Sequence, residues 1–140
     1  MFDAALTKGR GANGVFGVRI QHKSLQYVLD QLAGMYPDLT TDRARIDAAF
    51  GPTVFVHLTR GDKLAQAVSF VKAQQTGLWH QAPDGRELER LSPPQTPVYD
   101  PQQIRHWHDS FVAADAGWRH WFATQSIAPL RITHSLRPYT

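Results

Sequence analysis

The chain contains no cysteine, which excludes disulfide bonds, thiolate metal ligands and a cysteine nucleophile. It has no uninterrupted apolar stretch of about 18 residues, the length that a membrane-spanning helix needs. Its amino terminus lacks the charged and then apolar pattern of a secretory signal. We therefore expect a soluble, cytoplasmic protein that does not span a membrane and whose chemistry uses side chains other than cysteine.

A large net charge of either sign is also absent, because the chain has 15 Lys and Arg residues and 12 Asp and Glu residues. The excess is spread along the chain and forms no basic, aromatic-interleaved patch, so we expect no nucleic-acid partner. It favours phosphate or sulfate only weakly. His106, His108 and His120 lack the spacing and the accompanying carboxylates of a metal site, so we expect no metal.

The 140 residues, 42% of them hydrophobic, are enough for one domain with a core. Short β-branched or apolar runs predict parallel strands at residues 15–20, 53–58 and 130–133, and the second run is typical of a strand buried on both faces. Helical periodicity connects these runs, and the longest helix begins at Asp100. Residues 1–14 are predicted to be a loop or disordered start, and residues 81–99 a long loop excursion. The fold class is therefore a three-layer α/β sandwich with a partial parallel sheet.

In such sheets, ligands bind at the carboxyl ends of the strands. Arg60 follows the most apolar predicted strand, and Ser69 lies on the next helix, away from its predicted inward stripe of Leu64, Ala67, Val68 and Val71. A guanidinium binds phosphate through two parallel hydrogen bonds, and a hydroxyl can add a third. On these residues alone, however, a simpler interpretation remains. Arg60 would be solvated or paired with Asp62, and Ser69 would carry an ordinary helix hydroxyl.

A longer string is more specific: FGPTVFVHLTRGDK at 50–63, QAVS at 66–69 and QTGLWH at 75–80. It resembles the bacterial trehalose sulfotransferase family, which transfers a sulfuryl group from 3′-phosphoadenosine-5′-phosphosulfate to a sugar hydroxyl. Similar residues recur at 13–19, 99–100, 118–122 and 129–133, so the resemblance covers nearly the whole chain.

The resemblance implies that Arg60 and Ser69 bind the 3′-phosphate of this nucleotide donor and that the fold is P-loop-like. Trp79 and His80 would line the side of the site that holds the sugar or glycolipid acceptor. For these two residues, a packed aromatic ring and a surface imidazole remain an equal alternative.

The family's opening strand, phosphate-binding loop and helix have no counterpart in this sequence, and the glutamate that serves as general base is expected outside the chain. We therefore expect a truncated carboxyl-terminal part that holds only the 3′-phosphate-binding half and has no assignable catalytic residue. A sheet without its first strand would expose apolar surface, which favours a homo-oligomer. The alternative function is a non-catalytic binding or assembly module derived from the same fold.

Overall fold

The computed structural model describes the backbone of residues 2–134 and the side chains of residues 6–134. The chain divides into two compact units, each with residues from both halves of the sequence. The first unit comprises Met1–Phe55 and Trp118–Leu130, and the second comprises Val56–Gly117 and Arg131–Thr140. The single domain expected from the sequence stays a prediction.

The first unit is helical, with α1 at Phe2–Gly9, α2 at His22–Met35 and α3 at Asp42–Phe50. Helix α3 begins after Thr41, whose hydroxyl accepts a hydrogen bond from the Ala44 N–H and so caps the helix. The apolar repeat of α2 faces inward, as its period predicts. The buried core consists of Leu25, Leu29, Leu32, Ile46, Trp121, Phe122 and Ile127.

Two predictions for the beginning of this unit are wrong. Residues 2–9 form helix α1 instead of a loop, and residues 15–20 form no strand but only an isolated bridge between Arg10 and Phe16. The side chains of Val15 and Val18 are 62% and 64% exposed. A β-branched run becomes a strand only when another strand pairs with it, and the described residues supply none here.

The second unit contains both strands and helices. Its elements are β1 at Val56–Arg60, α4 at Lys63–Thr76, β2 at Leu78–Gln81, β3 at Glu87–Arg90, the greater part of α5 at Pro101–Thr124, and most of β4 at Leu130–His134. Strand β1 pairs with β4. The Leu130 N–H donates to the Phe55 carbonyl and the Gly61 N–H to the His134 carbonyl, so the two strands run in the same direction. The chain is therefore an α/β protein with a small parallel sheet.

Strand β1 is covered on only one face in the described part of the chain. His57 is 5% exposed, whereas its neighbours Val56 and Leu58 are 51% and 57% exposed. The prediction of a strand buried on both faces is therefore wrong for these residues, and the strand also begins at residue 56 instead of 53. On α4 the inward stripe is narrower than predicted, because Leu64 and Val68 are exposed.

The long excursion predicted for residues 81–99 is partly wrong as well. Its first part belongs to an antiparallel hairpin of β2 and β3, in which His80 lies opposite Glu89. Arg90 anchors the hairpin through hydrogen bonds from Nη1 to the Thr76 carbonyl and from Nε to Glu87, at 2.6 Å each. Residues 91–100 contain no helix or strand.

Gly77 ends α4 in the left-handed conformation, with φ of 70°. A Cβ atom at this residue would lie 2.7 Å from the Ser92 backbone nitrogen. We therefore expect Gly77→Ala to lower the free energy of unfolding by about 2 kcal/mol or more, through backbone strain and this clash.

Gly34→Ala is the matched control, because a Cβ at Gly34 in α2 meets nothing within 4 Å. It should stabilise the protein by about 0.5–1 kcal/mol through helix propensity. Urea denaturation measures both effects, and equal stability of the two variants would contradict the assignment of Gly77 as a strained helix end.

Candidate functional site

Arg60 is the last residue of β1 and is exposed. Within the described residues its guanidinium makes no hydrogen bond or ion pair that would occupy its donors. The predicted alternative of a pair with Asp62 is not observed, because the Asp62 carboxylate accepts a hydrogen bond from the Ala65 N–H at 2.8 Å instead. Arg60 is thus available to an anionic ligand.

The amino terminus of α4 is not available in the same way. Asp62 is its N-cap and places a carboxylate where a phosphate would otherwise contact the free N–H groups of the first turn. A second anion at that position would meet like-charge repulsion. The capped helix terminus is therefore a poor anion site, and the exposed guanidinium of Arg60 is better placed to contact an anion.

Ser69 lies on α4, six residues after the first residue, Lys63, and therefore about 9 Å further along the helix axis. Its side chain is exposed. The structure places Arg60 and Ser69 in one strand–loop–helix segment but shows no direct contact between them. A ligand that binds both must bridge the gap, and their joint role stays a prediction.

A polar cluster that the sequence analysis missed lies directly behind this loop. Asp115 of α5 accepts a hydrogen bond from the Thr59 hydroxyl at 2.7 Å, and His57 Nε2 lies 3.2 Å from the same carboxylate oxygen. Lys63 Nζ donates to the Thr59 hydroxyl at 2.7 Å and lies 3.7 Å from Asp115. The side chains of His57, Asp115 and Lys63 are only 5%, 18% and 17% exposed.

One signal in the sequence pointed to this cluster. His57 and Thr59 are two residues apart, so they lie on one face of β1, and both are polar within an otherwise apolar run. Asp115 borders the apolar stripe of α5, next to Ala114 and four residues after Phe111. Three polar groups beside apolar faces require mutual hydrogen bonds, but their pairing across 56 residues could not be deduced from spacing.

The two residues predicted on the acceptor side have other partners. Trp79 packs against Phe70, with ring centroids 5.4 Å apart, and Phe70 also contacts Trp107 and Phe111. His80 is exposed and pairs with Glu89 across the hairpin. The packing supports the alternative of a structural aromatic ring for Trp79, and the acceptor role of both residues stays a prediction.

No helix in the described part of the chain is long and apolar enough to cross a membrane. Among the side chains of residues 6–134, no group of three or more His, Asp or Glu residues is arranged to hold a metal ion.

Comparison with known proteins identifies the family. The model of the Stf0 sulphotransferase family matches residues 1–137, nearly the whole chain. The chain belongs to this family. The Stf0 family is a family of transferases, and the resemblance found at residues 50–80 is thereby confirmed.

Two curated relatives carry the name trehalose 2-sulfotransferase. The protein from Mycobacterium tuberculosis (strain Erdman) is 36% identical over 131 residues, which are 91% of this chain and 46% of the relative. The protein from Mycolicibacterium smegmatis is 30% identical over 135 residues, which are 94% of this chain and 48% of the relative. The chain thus spans about half the length of these relatives.

The capping role of Asp62 can be tested with two substitutions. Asp62→Ala removes the hydrogen bond to the Ala65 N–H and should lower the free energy of unfolding by about 1 kcal/mol, whereas Asp62→Asn keeps an acceptor and should cost only a few tenths. Thermal denaturation monitored by circular dichroism measures both. A loss of the same size for Asn and Ala would show that the charge, and not the cap, matters.

Proposed function

We propose that this chain is the part of a carbohydrate sulfotransferase that binds the 3′-phosphate of 3′-phosphoadenosine-5′-phosphosulfate. Membership of the Stf0 family supports sulfuryl transfer, and the names of the relatives support a carbohydrate acceptor. In the complete enzyme the nucleotide would supply the sulfuryl group, and a sugar or glycolipid hydroxyl would receive it. The proposal includes the P-loop-like, three-layer form of the fold.

The observation that carries this proposal is the exposure of the Arg60 guanidinium. It is an exposed guanidinium at the carboxyl end of a parallel strand, and the described residues offer it no carboxylate partner. Its planar set of N–H donors matches two oxygens of a phosphate, and such charge-assisted bonds are the strong ones. The neighbouring Lys63 is engaged with Thr59 and Asp115, so Arg60 is the cation of this loop that can bind phosphate.

Ser69 would complete the site by donating its hydroxyl hydrogen to a phosphate oxygen. Arg60 and Ser69 would bind the donor, and neither is a general base for the acceptor hydroxyl. Transfer needs that base and the alignment of donor and acceptor. The cytoplasmic location and a homo-oligomeric state stay predictions.

The proposal is tested by calorimetric titration of adenosine 3′,5′-bisphosphate into the chain. Arg60→Ala should weaken binding by about tenfold to a hundredfold, because hydrogen bonds to a charged group contribute about 1.5–3 kcal/mol. The affinity of Arg60→Lys should lie between those of wild type and Arg60→Ala, because the positive charge remains but the two parallel hydrogen bonds of the guanidinium are lost. Ser69→Ala should weaken binding less than Arg60→Ala.

Two controls make this titration specific. Arg86→Ala removes an exposed arginine that pairs with Asp84 in the hairpin, so it should leave affinity unchanged. Adenosine 5′-monophosphate lacks the 3′-phosphate and should bind wild type and Arg60→Ala equally. Equal binding of the bisphosphate by both proteins would refute the assignment of Arg60.

The second candidate function is a non-catalytic assembly module. The exposed apolar side chains of Val56, Leu58 and Ile132 on β1 and β4 favour it. Folded wild-type chain that binds no bisphosphate but sediments as a stable oligomer would support this candidate over the nucleotide site.

A further inference from the structure

The carboxylate of Asp115 contacts both ends of the loop that carries Arg60. Thr59, which donates to it, immediately precedes Arg60. Lys63, which lies 3.7 Å from it and also donates to Thr59, is the first residue of α4. Only Arg60, Gly61 and Asp62 lie between these two attachments. The cluster therefore holds the loop at the residue before it and the residue after it.

We propose that Asp115 is a positioning residue that orders the Arg60–Asp62 loop and so presents the Arg60 guanidinium to the 3′-phosphate. This inference rests on the proposed function of Arg60. Asp115 does not itself face the ligand, because its side chain is mostly buried against Thr59, Lys63 and His57.

Two physical effects follow from these contacts. A loop that is already ordered loses less conformational entropy when a ligand binds, so the protein binds the ligand with higher affinity. The carboxylate also compensates the charge of Lys63, which keeps the ammonium group inside the cluster and away from a ligand in front of the loop. Lys63 is then part of the support for the site and does not contact phosphate.

The alternative is that the cluster only stabilises the fold. Asp115→Asn removes the charge at almost unchanged size, and Thr59→Val removes the hydroxyl that joins Asp115 to Lys63. Thr59→Ser keeps that hydroxyl and should rescue binding. Asp109→Asn is the matched control on the same helix, because Asp109 is exposed and contacts His108.

The experiment combines titration of adenosine 3′,5′-bisphosphate with amide hydrogen exchange of residues 60–65, at a temperature where every variant is folded. Asp115→Asn and Thr59→Val should weaken binding by about tenfold and speed exchange at Gly61 and Asp62. Thr59→Ser and Asp109→Asn should stay within about twofold of wild type. The Thr59 pair decides the question even when Asp115→Asn does not fold.

Each result has a distinct meaning. Variants that melt at a lower temperature but keep the wild-type affinity and exchange rates would overturn the positioning role, while the function of Arg60 would stand. Wild-type protein that binds no bisphosphate would overturn the proposed function. In that case, unchanged amide hydrogen exchange at Gly61 and Asp62 in Asp115→Asn would also overturn the ordering of the loop by Asp115. Faster exchange there would support that ordering.

Discussion

The second unit depends on one partly buried charge, the carboxylate of Asp115. Removing a carboxylate from water costs several kcal/mol unless hydrogen bonds and an opposite charge compensate it. Here Thr59 and Lys63 supply that compensation and His57 adds a further contact. A shift of α5 by one turn, about 5.4 Å, would leave the carboxylate without these groups. The cluster therefore selects one alignment of α5 against β1 among those that apolar packing alone would tolerate.

The same constraint determines where Arg60 lies. Successive side chains of a strand point to opposite faces, so a strand whose Thr59 faces Asp115 must turn Arg60 to the other face. A slip of one residue would bury the guanidinium and expose the hydroxyl. The exposure of Arg60 and the burial of His57 therefore both follow from which face of β1 each side chain occupies. The polar cluster behind the sheet and the candidate phosphate site in front of it are coupled through the backbone.

Sequence reasoning succeeded where structure is local. The start of α5 beside Asp100 was predicted correctly, because helix caps and helical faces depend on neighbours within a few residues. It failed at residues 15–20, where a strand needs a distant partner. Arg60 and Ser69 were selected through family resemblance and loop position, but Asp115 was missed because its partners are 52 to 58 residues away in the sequence.

The wrong prediction for β1 is itself informative. A run such as Val54–Leu58 is typical of a strand covered on both faces, yet Val56 and Leu58 remain exposed in the described part of the chain. The relatives are about twice as long as the matched segment. On the proposed function, sulfuryl transfer also needs a general base and a partner for the 5′ end of the donor, which the residues of this site do not provide. Val56, Leu58 and Arg60 alternate with the buried His57 along β1, so the exposed apolar side chains and the candidate phosphate-binding guanidinium share one face of the strand, and any group that covers this face also lies next to Arg60.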